Sequence, residues 1–189
     1  MNYVIKKEKV NLKKNYEIIC TQISTSIFSI LGFNFFKKLI KDNTIHLYNI
    51  KKSGEICSII TVIQFNDYKL INKKIFFHLI KNPFILLQNI FFLIKSLNKN
   101  SDLSINKDYI HLLHLIIFSK KFKNISIKKK DLILNNFFKK ILKIHKANYI
   151  FLCFEKNNSR ALRYYRRNKF KIFHKNRNII YLKKNFNFK

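Results

Sequence analysis

Two short, uninterrupted apolar runs, Tyr109 to Phe118 (YIHLLHLIIF) and Tyr149 to Phe154 (YIFLCF), constrain this chain more than any other feature. Each has the length of a strand, and neither alternates with polar residues, as expected of strands buried on both faces of a sheet. Between them, Ile127 to His145 carries apolar residues at helical spacing. A strand, a helix and a second strand at the centre of the chain require an α/β sheet.

The flanking segments extend that pattern. Lys14 to Cys20 (KNYEIIC) alternates enough to be predicted as a first strand. Ser24 to Asp42 is predicted helical with Ser24 as N-cap, and Gly32 divides it into two helices. Thr44 to Ile50 and Ile56 to Phe65 form a predicted hairpin joined by Lys51, Lys52, Ser53 and Gly54. Asn98 to Lys107 is polar and loop-like, Asn158 to Asn168 is a short basic helix, and Phe170 to Phe173 and Asn178 to Lys183 are closing strands. The stretch Ile75 to Leu97 is strongly apolar, yet Lys81, Asn82 and Pro83 interrupt it and Gln88 and Asn89 add polar groups. A bilayer needs about 20 consecutive apolar residues, so two packed helices broken at Pro83 are expected there, with shallow interfacial binding as the alternative and no transmembrane segment.

A length of 189 residues with 48% hydrophobic side chains suits one folded domain. The formal net charge of +30 points toward nucleic acid, but the lysines lie along nearly every segment instead of gathering in one tract. Lys, Asn, Ile and Phe dominate while the chain has two Gly and one Pro, the profile of an AT-rich coding sequence. Non-specific, salt-sensitive binding to polyanions is therefore expected, with no specific nucleic-acid site. Cys20, Cys57 and Cys153 are odd in number and lie in apolar surroundings, which argues for buried thiols and against a disulfide framework or a zinc site. Residues 1–14 are lysine-rich without an apolar core, so no signal peptide is expected and the expected location is the cytoplasm.

The chemistry concentrates in Leu152 to Phe170, LCFEKNNSRALRYYRRNKF. Asn158, Ala161, Leu162, Tyr165 and Phe170 fall without a gap on the pattern N-x-x-A-[IL]-x-x-Y-x-x-x-G-F, with Lys169 in place of the glycine. This resembles the signature after the fifth strand of the GNAT (GCN5-related N-acetyltransferase) superfamily. Upstream, Lys123-Asn124-Ile125-Ser126-Ile127-Lys128 is similar to that family's pyrophosphate loop, [RQ]-x-x-G-x-[GA], with both glycines replaced and one extra residue after the strand. Ser29 to Leu39 and Ser53 to Ile56 resemble further segments of a GNAT subgroup that also carries a basic, apolar helical insert before the fourth strand.

The resemblance implies one GNAT-like domain over residues 15–184, its mixed, mostly antiparallel sheet splayed between strands four and five, flanked by helices, with 1–14 as a basic extension. It implies acetyl-CoA as acyl donor, no metal, and direct attack by an amine-bearing acceptor that nothing in the sequence identifies. Cofactor contacts are implied at Ile117, Phe118, Lys123, Asn124, Ile125, Ser126, Ile127, Lys128, Asn158, Ala161 and Tyr165. Tyr165 would protonate the departing thiolate, while Tyr164, turned away around the helix, would pack. Asn158 would hold the cofactor arm, and an N-cap role is compatible with that.

For the general base, His111 occupies a position where the subgroup often has glutamate, and Glu155 is a second candidate. A hydrogen-bonded core histidine and a solvated loop carboxylate explain the same two residues without catalysis. His111 and His114, three apart on one strand, are expected on opposite faces of the sheet. Two other functions are consistent with the sequence: an RNA- or ribosome-associated basic protein, and a GNAT fold that binds a ligand without catalysis.

Overall fold

The computed structural model describes residues 3–23, 26–87, 109–117 and 120–186. Ser24, Phe118, the later part of the apolar insert at 88–97 and the loop at 98–107 lie outside the described residues. Among the described residues the labelled elements run in the order β1 (Tyr3–Lys7), α1 (Leu12–Gln22), α2 (Ile27–Lys41), β2 (His46–Lys52), β3 (Glu55–Gln64), α3 (Phe65–Lys81), β4 (Tyr109–Ile117), α4 (Lys120–Lys123), α5 (Ile127–His145), β5 (Tyr149–Glu155), α6 (Ser159–Arg167), β6 (Lys171–Lys175) and β7 (Ile179–Asn185).

The strands form one seven-stranded sheet in the order β1-β2-β3-β4-β5-β7-β6. All neighbours are antiparallel except β4 and β5, which run parallel. That is the mixed α/β sheet expected of the sequence, because a helix between two strands carries the chain back to the same end of the sheet. Both apolar runs became central strands.

The two faces of the sheet are packed separately. Leu134, Phe137, Phe138, Ile141 and Leu142 of α5 and Tyr165 of α6 close one face, against Ile60, Val62, Ile110, Leu112, Ile150 and Leu152. On the other face, α1, α2 and α3 pack Ile19, Phe36, Leu39, Ile71, Ile75 and Leu79 against Leu47, Ile59, Ile63 and Ile116. The outer side of α3 leaves Phe76, Phe77 and Ile80 exposed. After α3 the chain breaks at Asn82 and turns helical again at 83–87, starting on Pro83, where a missing N–H costs a helix nothing. Among the described residues no helix is long and apolar enough to cross a membrane.

Two readings of the N-terminal region need correction. Lys14 to Cys20 is helical, not a strand: it lies within α1, which buries Leu12, Asn15 and Ile19 at three- and four-residue spacing. In so short a window the pairing of Tyr16 with Ile18 and Ile19 satisfies a period of two as readily as one of 3.6. The edge strand is instead Tyr3–Lys7, within the basic segment, paired to Lys52 through Tyr48 of β2. Tyr3 and Ile5 turn toward the core, while Val4, Lys6 and Lys7 are exposed. Charged residues on an edge strand discourage pairing with another chain.

Ser26, not Ser24, is the N-cap of α2, accepting from the Phe28 N–H at 3.4 Å. The hairpin turn is Ser53-Gly54, with φ of 50° and 80°, the two positive values of a type I′ turn. Gly32 does break α2, at φ 81° and ψ 165°, a region that side chains other than hydrogen essentially do not visit. A β-carbon there would meet no atom within 4 Å, so any cost of substitution comes from the backbone alone. Gly32→Ala is expected to destabilise the fold by about 1–3 kcal/mol, read as a lower midpoint in urea or heat without a change in the spectrum of the folded state.

Candidate active site

The parallel pair at the centre of the sheet is short. Only Tyr109↔Tyr149, Ile110↔Ile150 and His111↔Phe151 are in register, although β4 continues to Ile117 and β5 to Glu155. Beyond His111 the strands diverge. β4 remains paired to β3 as far as Ile117, and β5 to β7 along its whole length, so the opening lies between two strands each held on the other side. Main-chain N–H and C=O groups of the diverging stretches point into it, and buried backbone polar groups require partners.

From the end of β4 the chain leads through α4 into the N-terminus of α5. Ser126 caps this helix, its Oγ accepting from Lys129 N–H at 3.4 Å and its carbonyl from Lys130 N–H at 3.0 Å. Lys128, Lys129 and Lys130 fill a first turn that has no acidic residue. Lys130 folds back to donate to the Lys123 carbonyl at 2.6 Å, tying the helix to α4. Lys123, Asn124, Ser126, Ile127 and Lys128 are exposed, whereas Ile125 and Ile117 pack against the α5 core. Asn124 to Lys128 contain no positive φ, so this loop does not need the glycines it lacks. A helix N-terminus carries partial positive charge, and here three lysines add formal charge to it.

On the β5 side, Asn158 caps α6, its Oδ1 accepting from Ala161 N–H at 3.0 Å. One turn further, Tyr165 is 8% exposed. Its ring stacks on Phe154 at 5.8 Å and meets Phe170 edge-on at 5.0 Å, with Ala161 beside the same cluster. Phe154 belongs to the part of β5 that has left β4, so the Tyr165 ring packs beside the diverging stretch. Burial raises the phenol's pKa far above its ordinary value and the Cys153 thiol adds to this, so the hydroxyl keeps its proton at neutral pH. Tyr164 packs between Tyr165 and the Arg167 guanidinium, 5.6 Å from its ring, and its hydroxyl is buried. Lys169 sits where the motif has glycine and takes φ 63°, the left-handed conformation a glycine would adopt at a helix C-terminus.

The histidines are not arranged as the sequence implied. His111 and His114 share one face of the sheet: His111 lies opposite Ile63 and His114 opposite Thr61, two residues apart on β3. Leu112 pairs with Val62, so Leu113 is an extra residue on β4 and the alternation shifts by one at this bulge. A period-two count across an unseen bulge gives the wrong face, and no residue in YIHLLHLIIF marks it. His114 lies beyond the last β4–β5 rung, with Nδ1 2.7 Å from Thr61 Oγ1, Nε2 3.3 Å from Ser26 Oγ and its ring 5.6 Å from Phe28. His111 occupies the last rung, 5.2 Å from the Phe151 ring. Sequence reasoning passed over Ser26 and Thr61, which carry no motif and become site residues only through this register.

Burial pushes His111 down to about 4, and burial with the neighbouring His111 charge does the same to His114. Both are therefore neutral at pH 7 and able to accept a proton. Glu155 is exposed at the end of β5. Among the described residues no group of three or more His, Cys, Asp or Glu is placed to hold a metal ion.

No protein-family model matches this chain, and no curated protein matches it in sequence. Solved structures match its fold over nearly its whole length. The N-acetyltransferase PseH of Campylobacter jejuni, in complex with acetyl coenzyme A, aligns with a TM-score of 0.57 and 14% identity over 97% of this chain and 99% of its own. PaiA N-acetyltransferase of Thermoplasma acidophilum, in complex with coenzyme A, aligns at 0.59 and 14% over 98% and 100%. A probable acetyltransferase of Staphylococcus epidermidis aligns at 0.60 and 8% over 98% and 100%.

The depressed histidines make stability depend on pH. Free histidine titrates near 6.5, so between that value and about 4 the unfolded chain binds protons that His111 and His114 do not. His145, at about 4, and His46, at about 3, add to the same slope. The contribution is complete above pH 6.5 and is lost as pH falls through the folded values. Urea midpoints should accordingly be flat above pH 7 and fall steadily from pH 6.5 to pH 4.

Proposed function

From the GNAT (GCN5-related N-acetyltransferase) fold that this chain carries, we propose that it is an acyl-CoA-dependent N-acyltransferase, moving an acetyl group from acetyl-CoA to an amine. The observation that carries this reading is the divergence of β4 and β5 after three rungs, followed after β4 by a lysine-bearing helix N-terminus and accompanied by a buried tyrosine stacked on Phe154 of β5.

The residues fit such a donor in kind. The first turn of α5, from Ser126 through Lys128, offers N–H groups and positive charge to a pyrophosphate, with Lys123 and Asn124 on the approach. Unpaired backbone of β4 and β5 offers an amide-bearing arm the partners that a third strand would have. Ile117 and Ala161, partly buried against the core under α5, would supply apolar walls for that arm. Asn158 spends its side-chain oxygen on capping α6, which leaves its amide nitrogen to reach a ligand. Tyr165, its pKa raised by burial, supplies a proton to the thiolate as the carbon–sulfur bond breaks. A neutral imidazole of the His111 and His114 pair takes the proton released by the attacking amine. Since attack is direct, no acyl-enzyme forms and a single opening serves donor and acceptor. Cytoplasmic location and an otherwise unspecified amine acceptor belong to the same proposal.

Stabilisation by ligand tests this reading. Acetyl-CoA at about 100 times its Kd should add about 2.7 kcal/mol, which for a domain of this size raises the melting temperature by roughly 5–10 °C. The net charge of +30 favours a second reading, a polyanion-binding protein, and heparin is the control. Equal shifts with heparin and acetyl-CoA would favour it over the transferase. Within the loop, Ser126→Gly should preserve affinity for acetyl-CoA and Ser126→Val should weaken it. The combined Lys123→Ala and Lys128→Ala change should flatten its salt dependence. Calorimetry indifferent to Ser126→Val and to the combined lysine change would remove Lys123 to Lys128 from the binding site.

Tyr165→Phe should lower the rate of thiol release from acetyl-CoA about 100-fold while leaving affinity within twofold, because the ring keeps its packing and only the proton is lost. A larger loss in Tyr164→Phe would transfer the role to the neighbouring ring.

A further inference from the structure

We propose that Ser26, His114 and Thr61 form a proton relay on the histidine-bearing face of the opening, with His114 as the base that receives the proton of the attacking amine. The inference rests on the transferase reading and assigns its base, which the sequence had placed at His111.

Three independent features of the fold build the relay. The bulge at Leu113 turns His114 to the face covered by α1 and α2, where Thr61 of β3 stands directly opposite it. Thr61 Oγ1 meets Nδ1 at 2.7 Å, and Ser26 Oγ, at the start of α2, meets Nε2 at 3.3 Å. Ser26 Oγ accepts the Phe28 N–H at 3.4 Å, which leaves the serine's own O–H available to donate to Nε2, the arrangement assigned to the relay. With Nε2 accepting from Ser26, the ring proton belongs on Nδ1, donated to Thr61 Oγ1. One tautomer is thereby selected, with its lone pair aimed at a hydroxyl.

His111 lacks this placement. It sits at the last β4–β5 rung, where the strands are still joined, whereas His114 lies in the stretch of β4 that has separated from β5. A group attacking a thioester held between the strands passes His114 first.

The step balances without any further reactant. The amine nitrogen lone pair forms a bond to the thioester carbonyl carbon. The N–H proton passes to Ser26 Oγ as the Ser26 proton passes to His114 Nε2, leaving an imidazolium. The carbon–sulfur bond then breaks, the sulfur taking its electron pair and the Tyr165 proton. Solvent carries the proton from the imidazolium back to the tyrosinate, so the net products are the amide and free thiol. Thr61 acts through His114 and touches no substrate, which makes it a positioning residue.

The experiment uses the full chain, acetyl-CoA as donor and hydroxylamine or water as the nucleophile, with thiol release as the signal. His114→Gln should lower the rate at pH 7.5 by about 100-fold, within the range for a lost general base, and leave acetyl-CoA affinity within twofold. Thr61→Val should cost about tenfold and Thr61→Ser should recover most of it, a rescue that loss of packing would not show. In ¹⁵N spectra of histidine-labelled protein, His114 should appear as the Nδ1–H tautomer in the wild type and as a mixture in Thr61→Val. A loss in His111→Gln equal to or larger than that in His114→Gln would overturn the relay, as would an Nε2–H tautomer for His114. Absence of acetyl-CoA binding by the wild type would overturn the transferase reading itself, a result separable from either of these.

Discussion

Everything at the centre of this protein follows from how few rungs join β4 to β5. Three registered pairs hold the strands together at Tyr109, Ile110 and His111, and then each strand follows its other neighbour. Neither can close the gap, because β4 is bound to β3 through Ile117 and β5 to β7 through Glu155. An opening between strands in the middle of a sheet leaves polar backbone facing inward, and that is tolerable only where a ligand or water can satisfy it.

The opening also brings together groups that the sheet would otherwise separate. Tyr165 belongs to the core under α5 and α6, and His114 to the face under α1 and α2. In a continuous sheet a layer of backbone would stand between them. Burial moves the two groups in opposite directions, raising the Tyr165 phenol and lowering the His114 imidazole. Both are therefore uncharged at pH 7, the phenol with a proton to give and the imidazole with a lone pair to accept one.

Glycine scarcity runs through the whole chain, and its consequences are graded by backbone conformation. Lys146 and Lys169 close helices in the left-handed region with φ of 51° and 63°, a position that costs an ordinary residue about 1–2 kcal/mol but remains accessible. The loop from Asn124 to Lys128 has no positive φ, so residues other than glycine sit there without strain. Gly32, at ψ 165°, occupies a region that only glycine enters, and glycine is retained there.

The sequence by itself determined the elements whose patterns are long or strongly periodic. The two apolar runs, the helix from Ile127 to His145, the break at Gly32, the hairpin around Ser53-Gly54, and the strand, cap and helix carrying Asn158 and Tyr165 were all legible, because each is decided by local spacing and local backbone preference. Lys14 to Cys20 misled because a window of seven residues fits either period, and Tyr3–Lys7 escaped because an edge strand buries only alternate residues among its lysines. What only the tertiary structure decided are the relations between strands. The length of the β4–β5 ladder, the bulge at Leu113 and the meeting of His114 with Thr61 and Ser26 depend on register. Register is set by packing against β3 and α2, segments about 50 and 90 residues away in the chain, and no local pattern encodes it.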